Sequence, residues 1–233
     1  MLKPFFSFYG GKWRAAPRYP APRYGSIVEP FAGSAGFSVR WHLGRQVTLI
    51  DKDPAVAATW RYLLRASSAE ILALPLVPPG STVDDFRLSD EQKCLIGFWL
   101  NKGSSTPRRS LSSWSHARPK SAWGIEIRAR IASQVSSIRH WTITEGNYTE
   151  APDDEATWFI DPPYVIAGRH YRHSSSAIDF AALAEWCRDR RGQTLVCENV
   201  GANWLPFKPF MNAKASEAKH GGKRSKEALW VGP

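Results

Sequence analysis

The residues best suited to chemistry stand together at Asp161-Pro162-Pro163-Tyr164. They follow Thr157-Trp158-Phe159-Ile160, an apolar run that reads as a short buried strand. Two prolines after an aspartate end that strand and set the backbone into an extended turn. The turn presents a carboxylate, a proline carbonyl with no N–H beside it, and an aromatic ring. All three sit at the C-terminal end of a strand, where open α/β sheets hold their ligands. Asp-Pro and Pro-Pro are also common turn dipeptides, so the same four residues serve equally as a plain strand-ending turn.

The chemistry that suits this turn is specific. An exocyclic amine on a nucleobase is a poor nucleophile because its lone pair is delocalised into the ring. A carboxylate and a backbone carbonyl can each accept one of its N–H bonds. That draws the nitrogen toward sp³ geometry and frees the lone pair. Asp161 and the Pro162 carbonyl fill the acceptor roles, and Tyr164 offers a face on which the base stacks.

Such a turn needs elements to position it and a second reactant beside it. Residues 27–36, Ile-Val-Glu-Pro-Phe-Ala-Gly-Ser-Ala-Gly, read as a strand and a glycine loop. A helix over Phe37 to Leu43 follows, with Phe37, Val39 and Trp41 inward. Strand, glycine turn and helix cradle a nucleotide-like cofactor. The spacing is G-x-x-G, without the G-x-G-x-x-G of pyrophosphate binders. The loop therefore suits a ligand whose amino-acid or ribose part lies along the backbone at Pro30, Phe31, Ala32, Gly33, Ser34 and Gly36. A second strand, Val47 to Asp51, ends in an acid eighteen residues after Gly33. An acid there takes ribose hydroxyls in nucleotide-binding units. Asp53-Pro54 reads as the cap and first turn of a helix to Arg65.

Other stretches are less specific. Phe8-Tyr9-Gly10-Gly11-Lys12 lets a backbone approach a ligand and adds a cation. Taken alone, it reads better as an N-terminal loop packed by its aromatics. Residues 66–100 read as helical with one break at Pro75 to Gly80. A core stripe of Cys94, Leu95, Phe98 and Trp99 is capped by Ser89 or Asp90. Residues 101–123 lose periodicity and interleave Lys102, Arg108, Arg109, Arg118 and Lys120 with Trp114 and Trp123. That mixture fits a loop ordering on nucleic acid, or a solvated loop; the tryptophans favour the first. Residues 124–138 return to a helix, with Ile125, Ile127, Ile131 and Val135 apolar and Arg128 and Arg130 outward. Beyond a strand at 141–144, Asn147 and Tyr148 stand at a strand end where a polar group beside an aromatic contacts an adenine. Residues 165–177 carry Arg169, His170, Arg172 and His173 in a basic loop able to close over a target base. Asp179 caps a helix to Arg191, a strand follows at Thr194 to Glu198, and a basic hairpin ends the chain.

Composition bounds the class. The chain has 233 residues, a formal charge of +10 and a pI near 9.7, a balance that points to a polyanionic partner. Eleven tryptophans are many for this length, and some are expected on the surface as stacking platforms. Three cysteines, Cys94, Cys187 and Cys197, lie far apart and form no disulfide or zinc pattern. Met1-Leu2-Lys3-Pro4 opens no signal-peptide apolar core, and no apolar run approaches the roughly 18 residues of a membrane span. A cytoplasmic protein with no metal and no membrane contact is expected.

Three motifs in one order carry a resemblance. Phe8-Tyr9-Gly10-Gly11-Lys12, then Val28-Glu29-Pro30-Phe31-Ala32-Gly33-Ser34-Ala35-Gly36 and Asp51, then Asp161-Pro162-Pro163-Tyr164 resemble the Dam-type (D12 class) DNA adenine-N6 methyltransferases. The resemblance covers most of the chain outside residues 75–125. It implies an α/β, Rossmann-like S-adenosylmethionine-dependent methyltransferase fold with a seven-stranded sheet. It places the catalytic domain in residues 1–66 and 138–233, and a small, mostly helical or loop target-recognition insertion at 67–137. By that match the methyl donor would be S-adenosylmethionine, contacted by Phe8, Lys12, Asp51 and Asp161; the residues' own reading adds Tyr9, Gly10, Gly11, the glycine loop, Asn147 and Tyr148. Asp161, Pro162 and Tyr164 act on the adenine. Double-stranded DNA is the expected partner, met by the basic segments through Lys102, Arg108, Arg109, Arg118, Lys120, Arg169 and Arg172, and the enzyme is expected as a monomer. Other readings are a cytosine-N4 or RNA amino methyltransferase, and an idle DNA-binding module that kept a cofactor pocket.

Overall fold

The computed structural model describes residues 1–101, 103–117, 119–166, 168, 171–214 and 224–232. The strands are β1 (Ser26–Glu29), β2 (Gln46–Asp51), β3 (Thr142–Glu145), β4 (Ala156–Ile160), β5 (Gly192–Asn199), β6 (Lys208–Lys214) and β7 (Arg224–Val231). They form one seven-stranded sheet in the order β3-β2-β1-β4-β5-β7-β6. Pairing is parallel from β3 through β5, and β7 runs antiparallel to both its neighbours. The mixed α/β arrangement is compatible with a Rossmann-like fold.

The sheet is apolar on both faces, as parallel strands covered on two sides require. In β4 every residue is buried, with Phe159 on one face and Ala156, Trp158 and Ile160 on the other. The first face carries α1 (Gly36–Trp41), α2 (Pro54–Arg65), α4 (Asp90–Trp99) and α6 (Ile125–Gln134), through Phe37, Trp60, Phe98 and Ile131 among others. The second carries α7 (Phe180–Arg188), through Leu183, Ala184 and Cys187. The short helices α3 (Ser68–Ala73) and α5 (Ser113–Ala117) complete the set. No helix among the described residues is long and apolar enough to cross a membrane.

Local signals explain most boundaries. The Asp53 carboxylate accepts the Ala55 N–H, and Pro54 opens α2, which ends at Arg65 as its sequence predicts. Ser89 caps α4, and Leu95, Phe98 and Trp99 are buried while Cys94 is half-buried. Helix α1 stops at Trp41, two residues short of the expected Leu43.

Several expectations need correction. The stretch 66–100 holds two helices whose break, residues 74–89, is longer than the expected Pro75 to Gly80: it turns at Pro79–Gly80, where the Ser81 N–H donates to the Pro78 carbonyl, and again at Val83–Asp85. Ile125 is exposed rather than inward. Arg128 and Arg130 are half-buried ties rather than outward charges, donating to the Leu74 and Pro4 carbonyls. The Arg130 guanidinium also lies over the Trp99 ring. No tryptophan whose side chain is described is exposed. Trp60 and Trp158 lie in the core, and Trp123 is buried with its indole N–H on the Pro75 carbonyl. Among the tryptophans whose side chains are described, six are buried and four half-buried, so core packing accounts for most of them.

The serine-rich stretch lacks periodicity yet is tied down. Arg108 N–H donates to the Gly97 carbonyl, Val83 N–H to that of Arg109, and Ser112 N–H to that of Leu100. The buried Ser115 hydroxyl donates to the Leu100 carbonyl at 2.6 Å. Backbone groups satisfied this way need neither helix nor strand, so hydrophobic period misses the order they create.

Candidate functional site

The chain runs from β1 outward to β2 and β3, then returns to the other side of β1 as β4. Strand order therefore reverses between β1 and β4, the place where a crevice opens at the strands' carboxyl ends. Glu29-Pro30 leaves β1 there and Asp161 leaves β4. A cavity of about 270 Å³ occupies this crevice.

Its first wall is the glycine loop, fixed from three sides. The Asp51 carboxylate at the end of β2 accepts the Gly33 N–H and the Asp53 N–H, each at 2.8 Å. The Trp60 indole N–H from α2 donates to the Gly33 carbonyl at 2.8 Å. Gly33 and Ala35 both have left-handed φ of 46°. A Cβ on Gly36 would lie 2.4 Å from the Trp13 amide nitrogen and 2.8 Å from that of Lys12. The two glycine motifs are thus parts of one object: the Gly10–Lys12 segment crosses directly over the start of α1. Phe5 and Phe6, just upstream, are buried against Trp60. The opening aromatics pack the core and carry Phe8 to Lys12 to the cavity wall.

The second wall is the turn after β4. The Lys12 ammonium donates to both Asp161 oxygens, at 2.8 and 2.7 Å, and to the Gly10 carbonyl at 3.2 Å. Burial alone would lower the Lys12 pKa, but the facing Asp161 carboxylate, with Glu227, outweighs it and raises the pKa. The ammonium also lies 5.0 Å from the centre of the Tyr164 ring. Asp161 and Pro163 line the cavity; Pro162 and Tyr164 are not among the lining residues. Pro162 is buried and the Tyr164 hydroxyl is buried without a partner among the described residues. The ring face expected for stacking thus lies beside the cavity, with Lys12 over it.

Burial raises the carboxylates at the crevice. Glu29 is pushed up to about 8 by burial, against the pull of the Ser38 N–H it accepts at 2.6 Å. Asp51 is pushed up to about 6 by burial, against the pull of the Asp53 and Gly33 N–H groups.

The cavity gathers all the sequence-expected cofactor positions: Phe8 to Lys12, Pro30 to Ser34, Gly36, Asp51, Asn147, Tyr148 and Asp161. Sequence reasoning left out Glu29, whose place before Pro30 at the strand end was a readable signal. It also left out Asp53 as a lining residue, where it stands 3.9 Å from Arg172. Residues 171–174, 177 and 178 close the remaining side, and the Tyr171 hydroxyl donates to the Tyr9 carbonyl at 3.3 Å. The basic loop therefore contributes to the cavity itself.

The expected DNA contacts are dispersed. Arg108, Arg109 and Lys120 are exposed, and Arg109 is paired with Asp84, so its charge is partly neutralised. Arg172 faces Asp53 at the cavity. Lys102, Arg118, Arg169 and His170 lie outside the described residues, as do residues 215–223 of the basic hairpin. Residues 103–104 are tied to the N-terminal segment: Tyr9 N–H donates to the Ser104 carbonyl at 3.2 Å and Gly103 N–H to the Ser7 hydroxyl at 3.0 Å.

No protein-family model matches the chain, and no curated protein matches it. Among solved structures it is similar to a conserved hypothetical protein of Streptococcus pyogenes. The TM-score is 0.41 at 10% identity, over 93% of this chain and 89% of that one. A likeness that weak carries no argument.

Proposed function

We propose that the protein transfers a methyl group from S-adenosylmethionine to N6 of adenine in DNA. One observation carries the reading: Asp161, the glycine loop and Asp51 line a single cavity at the sheet's switch point, although they come from three separate strand ends. The seven-stranded sheet that the sequence resemblance implies supports it as well.

The lining chemistry suits the donor. Two acceptor directions of the Asp51 carboxylate are used by Gly33 and Asp53 N–H groups, which leaves others for ribose hydroxyls. The Gly33 N–H, used by Asp51, does not turn toward a phosphate. Asp51 and Asp179 line the walls without a cation paired to them among the described residues, while Lys12 offsets Asp161 and Arg172 faces Asp53. His173 lines the cavity with its Nε2 buried and unpartnered among the described residues, a polar group left for a ligand. S-adenosylmethionine would supply an electrophilic methyl carbon on a sulfonium.

The chain's own residues then act by position. Each Asp161 oxygen keeps a lone pair beyond the one that Lys12 engages, so the carboxylate can accept an amine N–H without releasing Lys12. Lys12 fixes the carboxylate's orientation. An adenine reaches this point only when extruded from the duplex, at a cost of about a few kcal/mol that phosphate contacts offset. Positioning of the reacting groups accounts for most of the expected acceleration.

The test is incubation with S-adenosylmethionine and duplex DNA, then nucleoside analysis by mass. N6-methyladenine supports the reading. N4-methylcytosine, or methylation of RNA alone, replaces it with a neighbouring amino methyltransferase. Tight DNA binding with no methylated nucleoside replaces it with an idle binding module.

A further inference from the structure

The Asp161–Tyr164 turn is poor in groups that could hold it. Pro162 and Pro163 have no N–H, so two of its four residues cannot tie themselves to a neighbouring strand. From the near side Lys12 grips Asp161. At the far end the Gly168 N–H donates to the Tyr164 carbonyl at 2.7 Å, and the next backbone donor is the Val165 N–H.

That donor meets Glu198. Strand β5 runs parallel to β4 with Ile160 opposite Val196, so Glu198 stands two residues further, alongside the turn. On its other side β7 pairs Ala228 with Glu198, which fixes its backbone within the sheet. The residue is fully buried. One carboxylate oxygen accepts the Val165 N–H at 2.7 Å and the Trp204 indole N–H at 3.4 Å. The other accepts the Asn199 N–H. No cation pairs with it among the described residues; its partners are N–H groups alone. The Val165 carbonyl in turn accepts the Ser175 hydroxyl at 3.3 Å.

A buried carboxylate without a counter-cation is costly, and a neutral side chain would fill the space more cheaply. What the carboxylate supplies is acceptors in two directions, with no donor of its own to clash with the N–H groups around it. Resting on the methyl-transfer reading, we infer that Glu198 is a positioning residue: it locks the Asp161–Tyr164 turn through the Val165 N–H, opposite the grip of Lys12. The cofactor wall has separate ties, through Asp51, Trp60 and Asp53 on β2 and α2. Loss of Glu198 should therefore disturb presentation of the target amine more than donor binding, whose other wall keeps its own ties.

The test compares wild type, Glu198→Ala and Glu198→Gln for single-turnover methyl transfer to duplex DNA, S-adenosylmethionine affinity by calorimetry, and thermal melting. Alanine is expected to slow transfer about 10²-fold, the scale of an ångström-level misplacement. Donor affinity should stay within about threefold. Glutamine keeps the acceptor for Val165 but sets an NH₂ against the Asn199 N–H, so it should recover part of the rate. Wild-type transfer by the alanine variant overturns the inference while leaving the methyl-transfer reading intact. So does a parallel fall in rate, donor affinity and melting temperature. A wild-type protein that methylates no nucleic acid defeats the reading itself, and the assignment of Glu198 with it.

Discussion

The Lys12 ammonium sits across both carboxylate oxygens of Asp161, at 2.8 and 2.7 Å, from 149 residues away in the chain. This pair joins the Gly10–Lys12 segment to the turn after β4 and so closes the crevice between its two walls. Both side chains are largely buried, at 8% and 19% exposure, so each needs the other. Removing Lys12 leaves a carboxylate without its counter-charge. Lys12→Ala should lose about 3 kcal/mol in urea unfolding, the low end for a buried pair because Asp161 opens onto the cavity. The double change Lys12→Met with Asp161→Leu should be more stable than either single change. Equal losses in all three would show that the pair contributes nothing by its charge.

Gly36 carries the second link between the walls. Its missing Cβ is replaced by the Trp13 and Lys12 backbone, which cannot rotate aside as a side chain can. Gly36→Ala should destabilise by about 1–3 kcal/mol, the scale of overpacking in a filled interior, and should weaken S-adenosylmethionine binding. Gly25, with open space at its Cβ position, is the control, and Gly25→Ala should leave donor binding unchanged. Donor binding at wild-type strength in Gly36→Ala would separate the cavity from this crossing.

How much of this was legible in the sequence depended on the kind of signal. The strand ends were readable because Glu29-Pro30, Asp51 and Asp161-Pro162 each set an acid after an apolar run. Asp53 was readable as a cap because Pro54 follows it. Packing between distant segments was not. Nothing in Phe5, Phe6 or Trp123 shows whether an aromatic faces core or solvent, and Arg130 reads as an outward charge until Trp99 and the Pro4 carbonyl are placed beside it. Glu198 sat in a recognised strand, but its burial and its bond to Val165 depend on β4 and β5 being neighbours.

Asp51 gives a pH dependence with a defined sign. Its pKa is pushed up to about 6 by burial, so it is ionised at pH 7.5 and largely protonated at pH 5. Ribose hydroxyls donate to the ionised form, so donor affinity should be full above pH 7 and fall as pH drops through about 6. The loss should approach tenfold per pH unit below that point. Asp51→Asn should bind weakly at every pH and show no such step. Calorimetry from pH 5 to 8 checks this, and a wild-type affinity flat across the range would remove Asp51 from donor binding.

Arg108 and Arg109 are adjacent exposed cations of the serine-rich stretch, and Arg109 is already paired with Asp84. Changing both to alanine should weaken duplex DNA binding and lower the slope of log affinity against log salt by between about one and two units. Because Asp84 competes for Arg109, Arg108→Ala alone should account for the larger share. An unchanged slope in the double variant would show that this stretch touches no phosphate.

The central claim is that Asp161 presents an extruded adenine amine beside the donor cavity. The most direct measurement is transfer of labelled methyl from S-adenosylmethionine to duplex DNA by wild type and by Asp161→Ala, with donor affinity determined for both. The account predicts label on adenine N6 with wild type, and none above background with the variant while it stays folded. Substantial transfer by the variant, or label on another atom, contradicts it.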